Sequence, residues 1–204
     1  MRLSHCLLYA AAICSFAVSA KTTEVPDYEI TPIVGYRMSG EFEDTEQDIT
    51  IDLEEGTSFG AIAAWKFDRK RQGEFLVSHY ETNFDSPGLA IDNEDLSISY
   101  MHVGGNILLS DGLVPFYLSG GLGISYFSPD GDQLDDETAF SMSLGIASKI
   151  PLTDTTKLYI GGRAYGSFVD SDSEIFCDSD ECRIFVESDI WVQTEVMAGI
   201  SIAF

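Results

Sequence analysis

The feature that most constrains this chain is a period of two. In Phe140–Ile150, Phe140, Met142, Leu144, Ile146 and Ile150 hold even positions, while Ser141, Ser143, Gly145, Ala147 and Lys149 hold the odd ones. Successive strand residues point to opposite faces, so this spacing predicts a strand with one bulky apolar face and one small or polar face. The alternation recurs in Leu96–Tyr100, Leu158–Tyr165 and Ile190–Phe204. It is traced less cleanly through Tyr28–Ser39, Thr57–Phe67, Gly73–Tyr80 and Phe116–Phe127, giving eight predicted strands and no helical stripe.

A soluble β-sandwich also alternates, so three further features decide. Connections alternate in length: Asp68–Gln72, Leu109–Leu113 and Pro151–Thr156 are short, whereas Gly40–Gly56, Thr82–Asp95, Ser128–Glu137 and Val169–Ser188 are long. Up-and-down outer-membrane barrels share this asymmetry, with short periplasmic turns and long external loops. The apolar face holds Ile30, Val34, Phe59, Leu118, Leu122, Ile124, Met142, Leu144, Ile160, Val196 and Ile200, and suits lipid. Aromatics gather near strand ends: Tyr28, Trp65, Phe67, Phe75, Phe116 and Phe204 at one, Tyr36, Phe59, Tyr126, Phe140 and Phe168 at the other. Two interfacial girdles would look like this. The sequence therefore predicts an all-β, eight-stranded antiparallel up-and-down transmembrane β-barrel over residues 28–204. Hydrocarbon tolerates no open sheet edge, so Tyr28–Ser39 must pair with Ile190–Phe204.

Met1–Ala20 follows the plan of a secretory signal peptide. Arg2 supplies the positive end, Cys6–Val18 a largely apolar stretch of thirteen residues, and Val18-Ser19-Ala20 a small-residue cleavage site. That stretch is too short to cross a bilayer, and Ile13 before Cys14 argues against lipoprotein processing. Residues 21–27 are then a short periplasmic segment. After cleavage only Cys177 and Cys182 remain, and two close cysteines in an exported chain read as a local disulfide. A metal pair is the rival, but no histidine lies near enough to complete a site.

The ending, Val196–Phe204, resembles the terminal signal read by the barrel assembly machinery, with Phe204, Ile202 and Ile200 carrying the pattern. Thr31–Arg37, Gly120–Phe127 and Gly161–Tyr165 also resemble the small eight-stranded outer-membrane barrels of the OmpA-type transmembrane domain and OmpX-like family. The resemblance covers nearly all of Tyr28–Phe204. It implies integral residence in the outer membrane of a Gram-negative bacterium, among outer-membrane lipid and lipopolysaccharide. OmpA-type proteins add a peptidoglycan-binding domain, which this chain does not show, so cell-wall tethering does not carry over.

In this frame the lumen holds a polar network of Glu29, Arg37, Lys66, Glu74, Tyr117, Lys149, Arg163, Tyr165, Gln193 and Glu195. Three acids there meet four bases, close to the balance that a narrow dry lumen requires. The whole chain is very different, with 34 acids against 11 bases. Such charge repels phosphate backbones and argues against nucleic acid. Glu41–Glu55, Glu81–Asp95, Asp130–Glu137 and Asp170–Asp189 hold 26 of the acids, opposed only by Arg183. Weak, diffuse binding of divalent cations at these loops is one reading; solvated charge is the other. Arg69-Lys70-Arg71, in a short turn, is the one basic cluster.

No cofactor or defined metal site is expected, and catalysis has little support. Ser78 and His79 are adjacent on a strand and must face opposite sides of the wall, so they cannot form a nucleophile–base pair. His79-Tyr80-Glu81 also lacks the His-x-Ser spacing of lipid A deacylase barrels. His102 would face lipid in this frame, unless Gly104-Gly105 breaks it. The expected function is a non-enzymatic outer-membrane barrel, structural or surface-interacting, with long acidic extracellular loops. A narrow channel for ions or small solutes is the alternative, and a lipid-modifying enzyme stands third.

Overall fold

The computed structural model describes residues 27–39, 42–44, 49–53, 55–85, 95–129, 136–168, 177–178, 181–182 and 190–204. The expected leader, the segment after it and much of the long connections lie outside the described residues. Among the described residues twelve strands follow one another: β1 (Tyr28–Ser39), β2 (Phe42–Asp44), β3 (Ile49–Leu53), β4 (Gly56–Lys66), β5 (Arg71–Asp85), β6 (Asp95–Ser110), β7 (Phe116–Pro129), β8 (Glu137–Pro151), β9 (Thr156–Phe168), β10 (Cys177–Asp178), β11 (Glu181–Cys182) and β12 (Trp191–Ala203). Eight of them form the wall, in the order β1, β4, β5, β6, β7, β8, β9 and β12, each antiparallel to its neighbours.

The wall closes where β1 meets β12, with Glu29 opposite Ala203 and Ser39 opposite Gln193. Tyr28 and Phe204 exchange backbone hydrogen bonds at its end, 3.3 and 3.0 Å long, and stack their rings at 6.2 Å. No edge is left in the spanning region, as a hydrocarbon setting demands. β2 and β3 extend the pairing beyond β5, and β10 with β11 forms a separate hairpin. Its register sets Cys177 opposite Cys182 along the backbone. Their side chains, and with them the expected bridge, lie outside the described residues.

Every residue assigned above to the lipid face is exposed, from Leu118 at 37% to Phe59 and Leu144 at 62%. An outer surface this apolar needs a hydrocarbon solvent. The girdle has its own local packing. The Trp65 indole lies over Gly73 on the next strand, where a Cβ would come within 2.1 Å of the ring. Gly73 is therefore a seat for the tryptophan, which shields the backbone in return.

β6 departs from the expected frame. Leu96, Ile98 and Tyr100 are buried in the lumen at 3%, 0% and 0%, and His102 follows them at 1%. Met101, Val103, Ile107 and Leu109 face outward instead. The two glycines do not break the phase, because the register runs unbroken from Leu96 to Leu108 opposite β7. The reading of His102 as lipid-facing is thus corrected. Bulky side chains of β6 fill space that the small inner residues of β7 and β8 leave open.

Candidate functional site

Among the described residues, the lumen is where buried charged side chains converge. It is built in layers, each spanning the barrel between strands far apart in sequence. Nearest the short turns, Glu29 of β1 receives Lys149 of β8 at 2.5 Å and Lys157 of β9 at 2.6 Å. Lys149 also donates to Gln72 Oε1 at 3.0 Å and sits 5.3 Å from the Tyr117 ring.

The second layer pairs Glu74 of β5 with Arg163 of β9. Arg163 donates further to Ser119 at 3.0 Å and Ser143 at 3.2 Å, while Asn106 donates to the other Glu74 oxygen at 3.1 Å. This arrangement needs Gly145, because a Cβ there would stand 2.9 Å from Ser119 Oγ and 3.0 Å from the Gly162 carbonyl.

The third layer centres on Glu195 of β12. Its carboxylate accepts from Arg37 at 2.8 Å, from Tyr165 at 2.5 Å, and from Ser58 and Ser78. Gly35 makes that approach possible, since a Cβ would lie 2.7 Å from a Glu195 oxygen and 2.5 Å from Ser58 Oγ. Arg37 also donates to Ser78 at 2.6 Å, and its guanidinium lies among the rings of Tyr165, Tyr100 and Tyr80 at 4.7, 4.9 and 5.6 Å. Tyr100 stacks on Tyr165 at 4.4 Å and donates to Gln193 at 2.9 Å. His102 lies against both tyrosine rings and bonds Ser141 at 2.7 Å. Toward the long loops an apolar layer follows, with Phe127 against Trp191 at 5.5 Å and buried Leu96 and Ile98.

Of the ten residues expected in this network, Glu29, Glu74, Lys149, Arg163, Arg37, Glu195, Tyr165, Gln193 and Tyr117 take part in these contacts. Lys66 lies on the same inward face, half-buried near the short turns, and forms none of the ion pairs among the described residues. Sequence reasoning missed Ser58, Tyr100, His102, Asn106 and Lys157. It also weighed Ser78 only as a nucleophile, whereas Ser78 is fully buried between Arg37 and Glu195. His79 points out of the wall and bonds Ser99 at 2.9 Å. A legible signal lay in the lower half of β6, where Val103, Ile107 and Leu109 are apolar at odd positions and Asn106 is polar at an even one.

The layers are dry. Arg37, Tyr100, Tyr165 and Gln193 are 0% exposed and Glu195 is 1%, so no water-sized passage borders them. A buried pair is tolerated when its remaining donors and acceptors are met, and Glu195 meets that condition. Arg37 meets it less fully: its Nε and Nη1 have no hydrogen-bond partner and rest against aromatic faces.

A closed wall that is apolar outside and ion-paired inside defines an integral β-barrel of the outer-membrane class. No protein-family model matches the chain, and no curated protein matches it by sequence. Solved structures do. Neisserial surface protein A is similar at 13% identity with a TM-score of 0.60, over 87% of this chain and 97% of that one. The outer membrane protein OprG of Pseudomonas aeruginosa is similar at 13% identity and a TM-score of 0.55, over 89% and 97%. The outer membrane protein AlkL, solved in DMPC bilayers, gives 11% and 0.55 over 92% and 95%. At these identities the likeness is one of fold: the small eight-stranded outer-membrane barrel.

Proposed function

We propose that this protein is a non-enzymatic outer-membrane barrel of a Gram-negative cell, with a lumen that serves as a structural plug. Its acidic loops then form the part available to the surroundings. The observation that carries this reading is the complete burial of the Arg37–Glu195 layer. Charges held dry by four donors around one carboxylate stabilise a shape and offer no path. The resemblance to Neisserial surface protein A, a surface protein by name, is in keeping with a surface role.

A narrow ion conduit is the second reading. It is favoured by one specific observation, the buried donors that lack partners: Arg37 Nε and Nη1 and Arg163 Nε. Unmet donors of this kind cost about 1–3 kcal/mol each, and water entering the lumen would relieve that cost. Purified protein in a planar bilayer separates the two. The plug reading expects no steady conductance from the wild type, and a lower unfolding midpoint when Arg37 or Arg163 is neutralised. Steady cation-selective current that changes in those variants would replace it with the conduit.

A further inference from the structure

The basic turn between β4 and β5 has no part in the lumen, yet it is built with care. Asp68 accepts the backbone N–H groups of Lys70 and Arg71 at 2.9 Å each, and binds the Arg71 side chain at 2.7 Å through Nε and 2.6 Å through Nη2. Arg71 is thereby neutralised, and the turn is held in one shape. Arg69 and Lys70 remain, exposed and in no ion pair among the described residues. Every other described cation is accounted for: Arg37, Lys149, Lys157 and Arg163 are paired inside, and Lys66 points inward.

The surroundings of this turn are apolar. Trp65 and Phe67 of the girdle precede it, Phe67 being 68% exposed. Leu108 N–H binds the Lys70 carbonyl at 2.7 Å, which joins the turn to the next one. That neighbour exposes Leu109 at 62%, Leu113 at 95% and Val114 at 48%. Asp111 lies on that second turn, Asp154 on the third, and Asp27, whose carbonyl accepts from Lys66 N–H at 2.9 Å, just before β1. Two free cations beside bare leucines at the girdle match the boundary where anionic headgroups meet acyl chains. The long connections, which hold 26 acids in the sequence, are its opposite in charge.

We propose that Arg69 and Lys70 form a docking site for an anionic glycerophospholipid headgroup in the periplasmic leaflet, with Phe67 and Leu113 against its acyl chains. The proposal rests on the barrel reading and its orientation, short turns toward the periplasm, and is independent of whether the lumen conducts. Trp65 provides the readout, because the other tryptophan, Trp191, is buried in the lumen away from lipid.

The experiment reconstitutes the full barrel in vesicles of phosphatidylcholine mixed with phosphatidylglycerol, one lipid brominated at a time. Quenching of Trp65 then gives the relative association of the two lipids with this side of the wall. The expected result is a preference for phosphatidylglycerol of about five-fold per free cation at low salt, shrinking as salt is added. The variant Arg69→Gln/Lys70→Gln should bring the ratio to about one, while Arg69→Lys/Lys70→Arg should keep it. Equal quenching in the wild type overturns the proposal, as does a preference that survives in the double glutamine variant. Absence of quenching by either lipid is a different failure, since it would show that Trp65 does not face a bilayer.

Discussion

β6 and β8 carry the same alternation and use it in opposite senses. On β8 the bulky set faces lipid, with Phe140 at 51%, Leu144 at 62% and Ile146 at 55% exposed, and Ser141, Ser143 and Gly145 line the lumen. On the outer half of β6 the bulky set is inside, and Ser97 and Ser99 face out. Period two establishes that two faces differ. It does not say which face is the lumen. That sign is decided by volume: the inner side of β8 is too small to fill the barrel, and Tyr100 and His102 occupy the room it leaves, touching Tyr165 and Ser141.

The sharpest way to break this comparison is to truncate the β6 residue that fills the lumen. Tyr100→Ala should cost about 3–5 kcal/mol in urea unfolding followed by tryptophan fluorescence, as for a large aromatic removed from a packed interior. A cost below that of Leu144→Ala would refute the inverted facing of β6. Next comes the small face of β8. Gly145→Val should cost about 1–3 kcal/mol or more, because it drives a side chain into Ser119 and Arg163. The heat-induced band shift on gels should then move to lower temperature. A smaller step isolates the hydroxyl: Tyr100→Phe keeps the ring and loses the bond to Gln193, for about 1 kcal/mol in the same assay. Leu144→Ala exchanges one apolar surface for a smaller one against lipid, and should stay under about 1 kcal/mol.

The slightest effect lies at the turn. Hydrogen bonds from the Lys70 and Arg71 backbones and the Arg71 side chain hold the Asp68 carboxyl down at about 2, from an ordinary 3.8. A depressed carboxyl contributes order that is present above pH ~4 and lost as pH falls through ~2. Protection of the Lys70 and Arg71 amides, relative to their intrinsic exchange at each pH, should therefore fall only in strong acid, while the barrel amides keep theirs. Loss of that protection already near pH 5 would show that Asp68 does not hold the turn.

How much of this was readable from the chain depends on which face is considered. Outside β6 the outward wall was legible because lipid imposes one rule across the spanning region: Val34, Leu122 and Ile160 had to be apolar, and parity located them. The seam was legible for a related reason, since closure left the free edges of β1 and β12 only each other to pair with. The lumen obeys no such uniform rule. Glu74 and Arg163 could be placed on the inner face by parity, yet their pairing depends on strand register and tilt, which alternation does not encode. Ser58 and Ser78 were invisible as Glu195 donors, since serine suits either face. Asn106 and His102 were hidden by assigning the sign of β6 from its outer half, where the lumen itself is apolar.

The seam has a consequence for rates. The contacts that close it, Thr31 to Ser201 at 2.7 Å and Arg37 to Glu195, join residues 170 and 158 positions apart. Closing so long a loop carries an entropic penalty before any of these contacts form, so it belongs late in folding. The reverse holds for escape. Opening between β1 and β12 inside a bilayer exposes two rows of unpaired backbone groups to hydrocarbon and strands a charge on each side of the breach. The folded barrel should thus persist through the slowness of its unfolding as much as through its equilibrium stability, and its lifetime should shorten most steeply with changes along this one line of the wall.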